Sequence, residues 1–154
     1  MTPGRRLCLV AGGIAAASLL SGCGLGLAGQ AQEAADSAAK WNVVRITRYV
    51  QDPANDVVTP GEPSARQLAD LRDFLTSPSF ALKYGQKPYR EILDATDEHV
   101  DIAVWAGSTV TSVIHQEATK HAVACARFTV DDTRRLASAT IDCPDGVTGD
   151  SYDD

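Results

Sequence analysis

The chain has 154 residues, 44% of them hydrophobic and 22% charged, with a formal net charge of −6 at pH 7. That balance excludes a disordered or fibrous chain, and the length suits one domain. The surplus of acid excludes a general affinity for nucleic acid.

Residues 1–22 divide into a basic head with Arg5 and Arg6, an apolar run from Leu7 to Leu20 and two small residues. The run fits the h-region of an export signal and falls short of the ~20 residues needed to cross a bilayer. At its end, Leu20-Ser21-Gly22-Cys23 places an aliphatic residue and two small residues before a cysteine. This resembles the lipobox of bacterial lipoproteins. Ten Arg against four Lys, with abundant Ala, makes the chain similar to small lipoproteins of the high-GC Gram-positive type. The resemblance implies cleavage before Cys23 and a covalent diacylglycerol on its thiol, with no other cofactor. It also implies a mature protein held on the extracytoplasmic side of the cell membrane. Loss of Arg5 and Arg6, with no acid removed, takes the net charge from −6 to −8. The arginine pair is compatible with either general or twin-arginine export.

Residues 23–32 are rich in Gly and Ala and carry no charge, the composition of a flexible lipidated tether. From Glu33, Ala35, Ala39, Val43, Ile46 and Val50 recur at helical spacing and predict a helix over 33–51. The alternation Val44-Ile46-Val50 leaves a strand open for its second half. Residues 52–63, with three prolines and a glycine, read as a loop. Ser64 and Gln67 form a capping box ahead of Leu68, Leu71 and Leu75 and predict a helix over 65–76. Ser77-Pro78 opens a further short turn, with Phe80, Leu82 and Tyr84, that Gly85 would end.

Beyond Pro88 the period becomes two. Val100, Ile102 and Val104 face one way and Asp101, Ala103 and Trp105 the other, in a strand ended by Gly107-Ser108. Further strands are expected at 109–117, 121–130 and 136–143, with 89–94 a weaker candidate. Residues 144–154 read as an acidic disordered tail. The domain is therefore 33–143, an α+β fold with N-terminal helices packed on a C-terminal antiparallel sheet of about four strands. Its element order is similar to that of cystatin-like and NTF2-like domains.

Once Cys8 leaves with the export segment and Cys23 carries lipid, Cys125 and Cys143 remain, and an oxidising compartment favours a disulfide between them. A three-residue turn at 133–135 would set them directly opposite one another. His115 and His121 similarly flank a turn centred on Ala118, with Glu117 beside them, a set able to ligate a metal such as zinc if the hairpin brings it together. Ser37 and Lys40 match an SxxK spacing, but the companion motifs of penicillin-recognising enzymes are missing. Trp41, Trp105, Tyr49, Tyr84 and Tyr89 suit core packing, or alternatively a pocket between helix and sheet. The expectation is a non-enzymatic domain that binds an envelope protein or a small ligand at the membrane. The alternative is a small extracytoplasmic enzyme or metal-binding protein using His115, His121 and Glu117.

Overall fold

The computed structural model describes residues 14–77 and 90–151, with side chains from Gly26 onward. The chain is α+β, with helices α1 (Ile14–Gln51) and α2 (Ser64–Thr76) preceding strands β1 (Arg90–Ala95), β2 (Val100–Thr111), β3 (Glu117–Val130) and β4 (Leu136–Ile141). The strands form one antiparallel sheet in the order β1-β2-β3-β4. The expected turn over residues 78–85 and Tyr89 lie outside the described residues.

The stripe Ala35, Ala39, Val43, Ile46 and Val50 is buried and forms the helical side of the main core. The pleat of the sheet supplies the other side, where Val100, Ile102, Val104, Ala122, Ala124, Ala126 and Phe128 all face α1 and α2. Helix and sheet meet largely through alanines at the N-terminal end of the packed stripe, where Ala31, Ala35 and Ala39 are completely buried. Small side chains on both sides allow close backbone approach.

Gln32 donates from its amide to the His121 carbonyl at 3.3 Å. Further on, Thr47 shares a hydroxyl contact with Ser138, and Gln51 donates to the Leu136 carbonyl. Ser138 and Leu136 pair with Phe128 and Val130, so α1 advances along the sheet in the same direction as β3.

Several expectations change. Residues 23–32 are not a loose tether, because α1 continues through them and Ala31 is already buried against the domain. Ser64 is the first residue of α2 rather than its cap. The Pro63 carbonyl receives the Arg66 and Gln67 N–H groups, while the Gln67 side chain turns inward instead of closing a capping box. Gly107-Ser108 does not end a strand, since β2 runs to Thr111 in register with β3. The His121 ring lies over Gly107, where an added Cβ would come within 2.8 Å of it, so the glycine makes room for a cross-strand side chain.

The other face of the sheet is covered by the C-terminal segment. Val147 packs with Ala103, Trp105 and Cys125, and the Trp105 indole N–H donates to the Thr148 carbonyl at 2.8 Å. Gly149 sits so close to the His121 backbone that a side chain there would collide with its carbonyl. Residues 144–151 are thus a packed third layer rather than a frayed tail. Their acids point to solvent while Val147 supplies the apolar contact.

Cys125 and Cys143 form a disulfide with a Cα–Cα distance of 5.2 Å. The expected register is off by two residues. The turn is Asp131–Arg134, Cys125 pairs with Ile141, and Cys143 reaches back from just beyond the end of β4.

Candidate functional site

Trp41, Val44, Arg45 and Arg48 fall off the buried stripe of α1 and face solvent. Trp41, an expected core residue, is 52% exposed, and the Arg48 guanidinium lies over its ring at 5.5 Å from the centroid. At an exposed site such a contact contributes about 0.5–1 kcal/mol. Beside this face runs β4, an edge strand of the sheet. Between them lies an open groove of about 410 Å³, whose lining includes Lys40, Val44, Thr47, Arg48, Ser138 and Thr140. Its charged lining residues, Lys40 and Arg48, are both cationic in a chain of net charge −6.

A second hollow of about 390 Å³ continues past Gln51, which lines both and bridges helix to sheet through its 2.7 Å bond to the Leu136 carbonyl. Gln67 contributes to the wall of this hollow. Its amide N–H groups donate to the Glu62 and Arg134 carbonyls at 2.9 and 3.1 Å, and its buried Oε1 accepts no hydrogen bond among the described residues. Two cations, three hydroxyls and an exposed indole beside a sheet edge can hold an extended segment that carries carboxylates.

The far end of the second sheet face carries a polar cluster. Asp101 and Arg127 are directly paired across β2 and β3, and the guanidinium donates to both carboxylate oxygens at 2.7 and 2.6 Å. Hydrogen bonding to Arg127 holds the Asp101 carboxyl below the ordinary carboxylate range, against the opposing effect of burial. His99 joins the cluster through Asp94 at 3.1 Å and Asp101 at 3.9 Å. The Thr96 hydroxyl is 3.1 Å from His99 Nδ1, but it also accepts the Glu98 and His99 backbone N–H groups. That hydroxyl organises the β1–β2 turn and is not presented as a nucleophile.

The expected metal trio is not assembled. The hairpin turn is centred on Ile114 rather than Ala118, because Thr111 pairs with Glu117 and Gly107 with His121. His115 therefore sits in the turn itself, and His121 lies four residues, about 13 Å, up the strand from Glu117. Among the described residues no group of three or more His, Cys, Asp or Glu side chains is placed to hold a metal ion. Ser37 is exposed on α1, whereas Lys40 lines the groove. Cys23 lies within α1 as backbone, ahead of the described side chains.

From the sequence, core packing was the preferred place for Trp41 and a pocket between helix and sheet the alternative; its exposure beside the groove was not foreseen. The available signal was its position among Lys40, Arg45 and Arg48, off the apolar stripe. No protein family, curated protein or solved structure matches the chain.

Proposed function

We propose that this chain is a lipid-anchored extracytoplasmic lipoprotein whose domain binds an acidic, extended protein segment in the groove between α1 and β4. The anchoring reading rests on Leu20-Ser21-Gly22-Cys23 at the end of a 14-residue apolar run. Among the described residues no helix is long and apolar enough to cross a membrane. Diacylation supplies two chains at ~0.8 kcal/mol per buried methylene, enough for stable attachment.

The binding reading is carried by one observation, the exposed Trp41 in contact with Arg48, a residue that lines the groove. An isolated exposed aliphatic residue needs no explanation, but a Trp–Arg pair beside a sheet edge has the composition of a binding hot spot. Lys40 lies 17 residues beyond Cys23 along α1, about 25 Å of helix, so the groove stands clear of the lipid surface. Confinement at the membrane raises the local concentration of the domain for partners anchored there.

The test uses the full chain in a bacterial host that acylates lipoproteins, with a photo-reactive residue at Val44 or, as a control, at Ala137. Expected is a discrete adduct from Val44 that disappears when Lys40→Glu and Arg48→Glu reverse the groove's charge. Adducts that are indifferent to those substitutions, or equal yields from both positions, contradict the binding site.

A further inference from the structure

The two long hairpins close with turns of the same geometry and different chemistry. In the β3–β4 turn, the Asp131 N–H donates to the Arg135 carbonyl, the Arg134 N–H donates to the Asp131 carbonyl, and Arg134 is left-handed at φ 57°. In the β2–β3 turn, the Ser112 N–H donates to the Gln116 carbonyl, the His115 N–H donates to the Ser112 carbonyl, and His115 is left-handed at φ 60°. The first side chain caps each turn alike. Asp131 Oδ1 accepts from the Thr133 and Arg135 N–H groups, and Ser112 Oγ accepts from those of Ile114 and Gln116.

The central pair is Asp132-Thr133 in one turn and Val113-Ile114 in the other. Turn centres favour Gly, Asn, Asp, Ser and Pro. Val113 and Ile114 are instead 97% and 64% exposed. Neither local propensity nor packing accounts for two β-branched apolar residues at that tip, and such a local conflict marks a functional position.

The position of the tip supplies the occupant. From the Gln32–His121 hydrogen bond, α1 runs back nine residues to Cys23, about 13 Å of helix. From the same level, β3 runs back four residues to Glu117, about 13 Å of strand, and the turn follows immediately. Cys23 and the Val113-Ile114 turn therefore end at the same height on one end of the molecule, while the Asp132-Thr133 turn is at the other. That end also carries little acid. Residues 23–32 and 104–116 contain no Asp or Glu, and Glu117, at the start of β3, is the acid nearest the tip in sequence.

We infer that the β2–β3 hairpin tip is a second membrane contact, with Val113 and Ile114 seated in the lipid interface beside the acyl chains on Cys23. The inference rests on the proposed lipidation. Two points of contact, one covalent and one apolar, fix the tilt of the domain and turn the α1–β4 groove away from the bilayer.

The experiment uses acylated full-length-derived protein purified from membranes and reconstituted into phosphatidylglycerol–phosphatidylcholine vesicles containing brominated lipid. An environment-sensitive fluorophore is placed by Val113→Cys or, at the equivalent position of the far turn, by Asp132→Cys. Expected is at least two-fold quenching at 113 and none at 132. As a label-free companion, Val113→Asp with Ile114→Thr installs the pair that this fold already carries in the same turn geometry. Amide exchange over 109–118 should slow several-fold when wild-type protein passes from detergent to vesicles, and should not slow in the double variant. Acylated protein whose 113 label is no more quenched than its 132 label overturns the inference while leaving the anchor intact. Protein whose mass shows no acyl group on Cys23 overturns both.

Discussion

The Gln32 amide bonds to the His121 carbonyl across 89 residues of sequence, and it does so only nine residues after Cys23. Residue 23 is thereby coupled to the sheet through helix rather than through loose chain. The coupling depends on close approach, with Ala31, Ala35 and Ala39 completely buried.

Ala35→Leu forces three extra heavy atoms into this contact and should destabilise the domain by about 1–3 kcal/mol, read as a lower midpoint in urea. An unchanged midpoint would mean that α1 stands further from the sheet than described.

The Cys125–Cys143 disulfide closes an 18-residue separation and fixes the point from which residues 144–151 turn back over Trp105. Cys143→Ser should cost about 3 kcal/mol on the chain-entropy estimate. Denaturation under non-reducing conditions checks this, and the variant should also expose Trp105 to a soluble quencher. Full stability without the bridge would contradict its role as a staple.

Gly149 is held against the His121 backbone so tightly that a methyl group cannot be accommodated in place. Gly149→Ala should lift the C-terminal layer and speed hydrogen exchange of the Trp105 indole at least ten-fold, while the main core stays folded. Unaltered exchange would show that the segment is not packed as described.

Acid should act partly through Asp101. Its folded carboxyl is held below the ordinary value of ~3.9, so as pH falls through that value the unfolded chain takes up a proton before the folded chain does. The stability contributed by the pair is fully present above ~3.9 and is lost as pH falls through the lower folded value. Asp131, held down by hydrogen bonds from the Thr133 hydroxyl and the Arg135 backbone, adds to the same trend. Asp101→Asn should lower the thermal midpoint at pH 7 and flatten its dependence on pH below the ordinary carboxylate value of ~3.9. Parallel curves for both proteins would remove Asp101 from the account.

The fold class, both helices and the alternation of β2 were legible because each rests on local periodicity. Ala35 to Val50 and Val100 to Trp105 report their faces whatever the rest of the chain does. What was not legible depends on contacts distant in sequence. The end of β2 was misplaced because Gly107 is kept small by the His121 ring, not by a turn. Both hairpin registers slipped because left-handed His115 and Arg134 supply turn positions that composition assigns to glycine. That slip alone dispersed His115, His121 and Glu117. The disulfide survived it, since Cys143 lies beyond β4 where the chain is free to bend back. Core packing was preferred for Trp41 because a domain poor in aromatics invites their placement inside, whereas its position among Lys40, Arg45 and Arg48 sets it outside.

The proposed anchoring of this domain is tested most directly by the intact mass of the chain extracted from bacterial membranes. Expected is a polypeptide beginning at Cys23 and carrying diacylglycerol on that residue, with Cys23→Ala protein unacylated and released from the membrane. A mature chain that begins elsewhere, or a Cys23→Ala chain that is still acylated and membrane-bound, would contradict it.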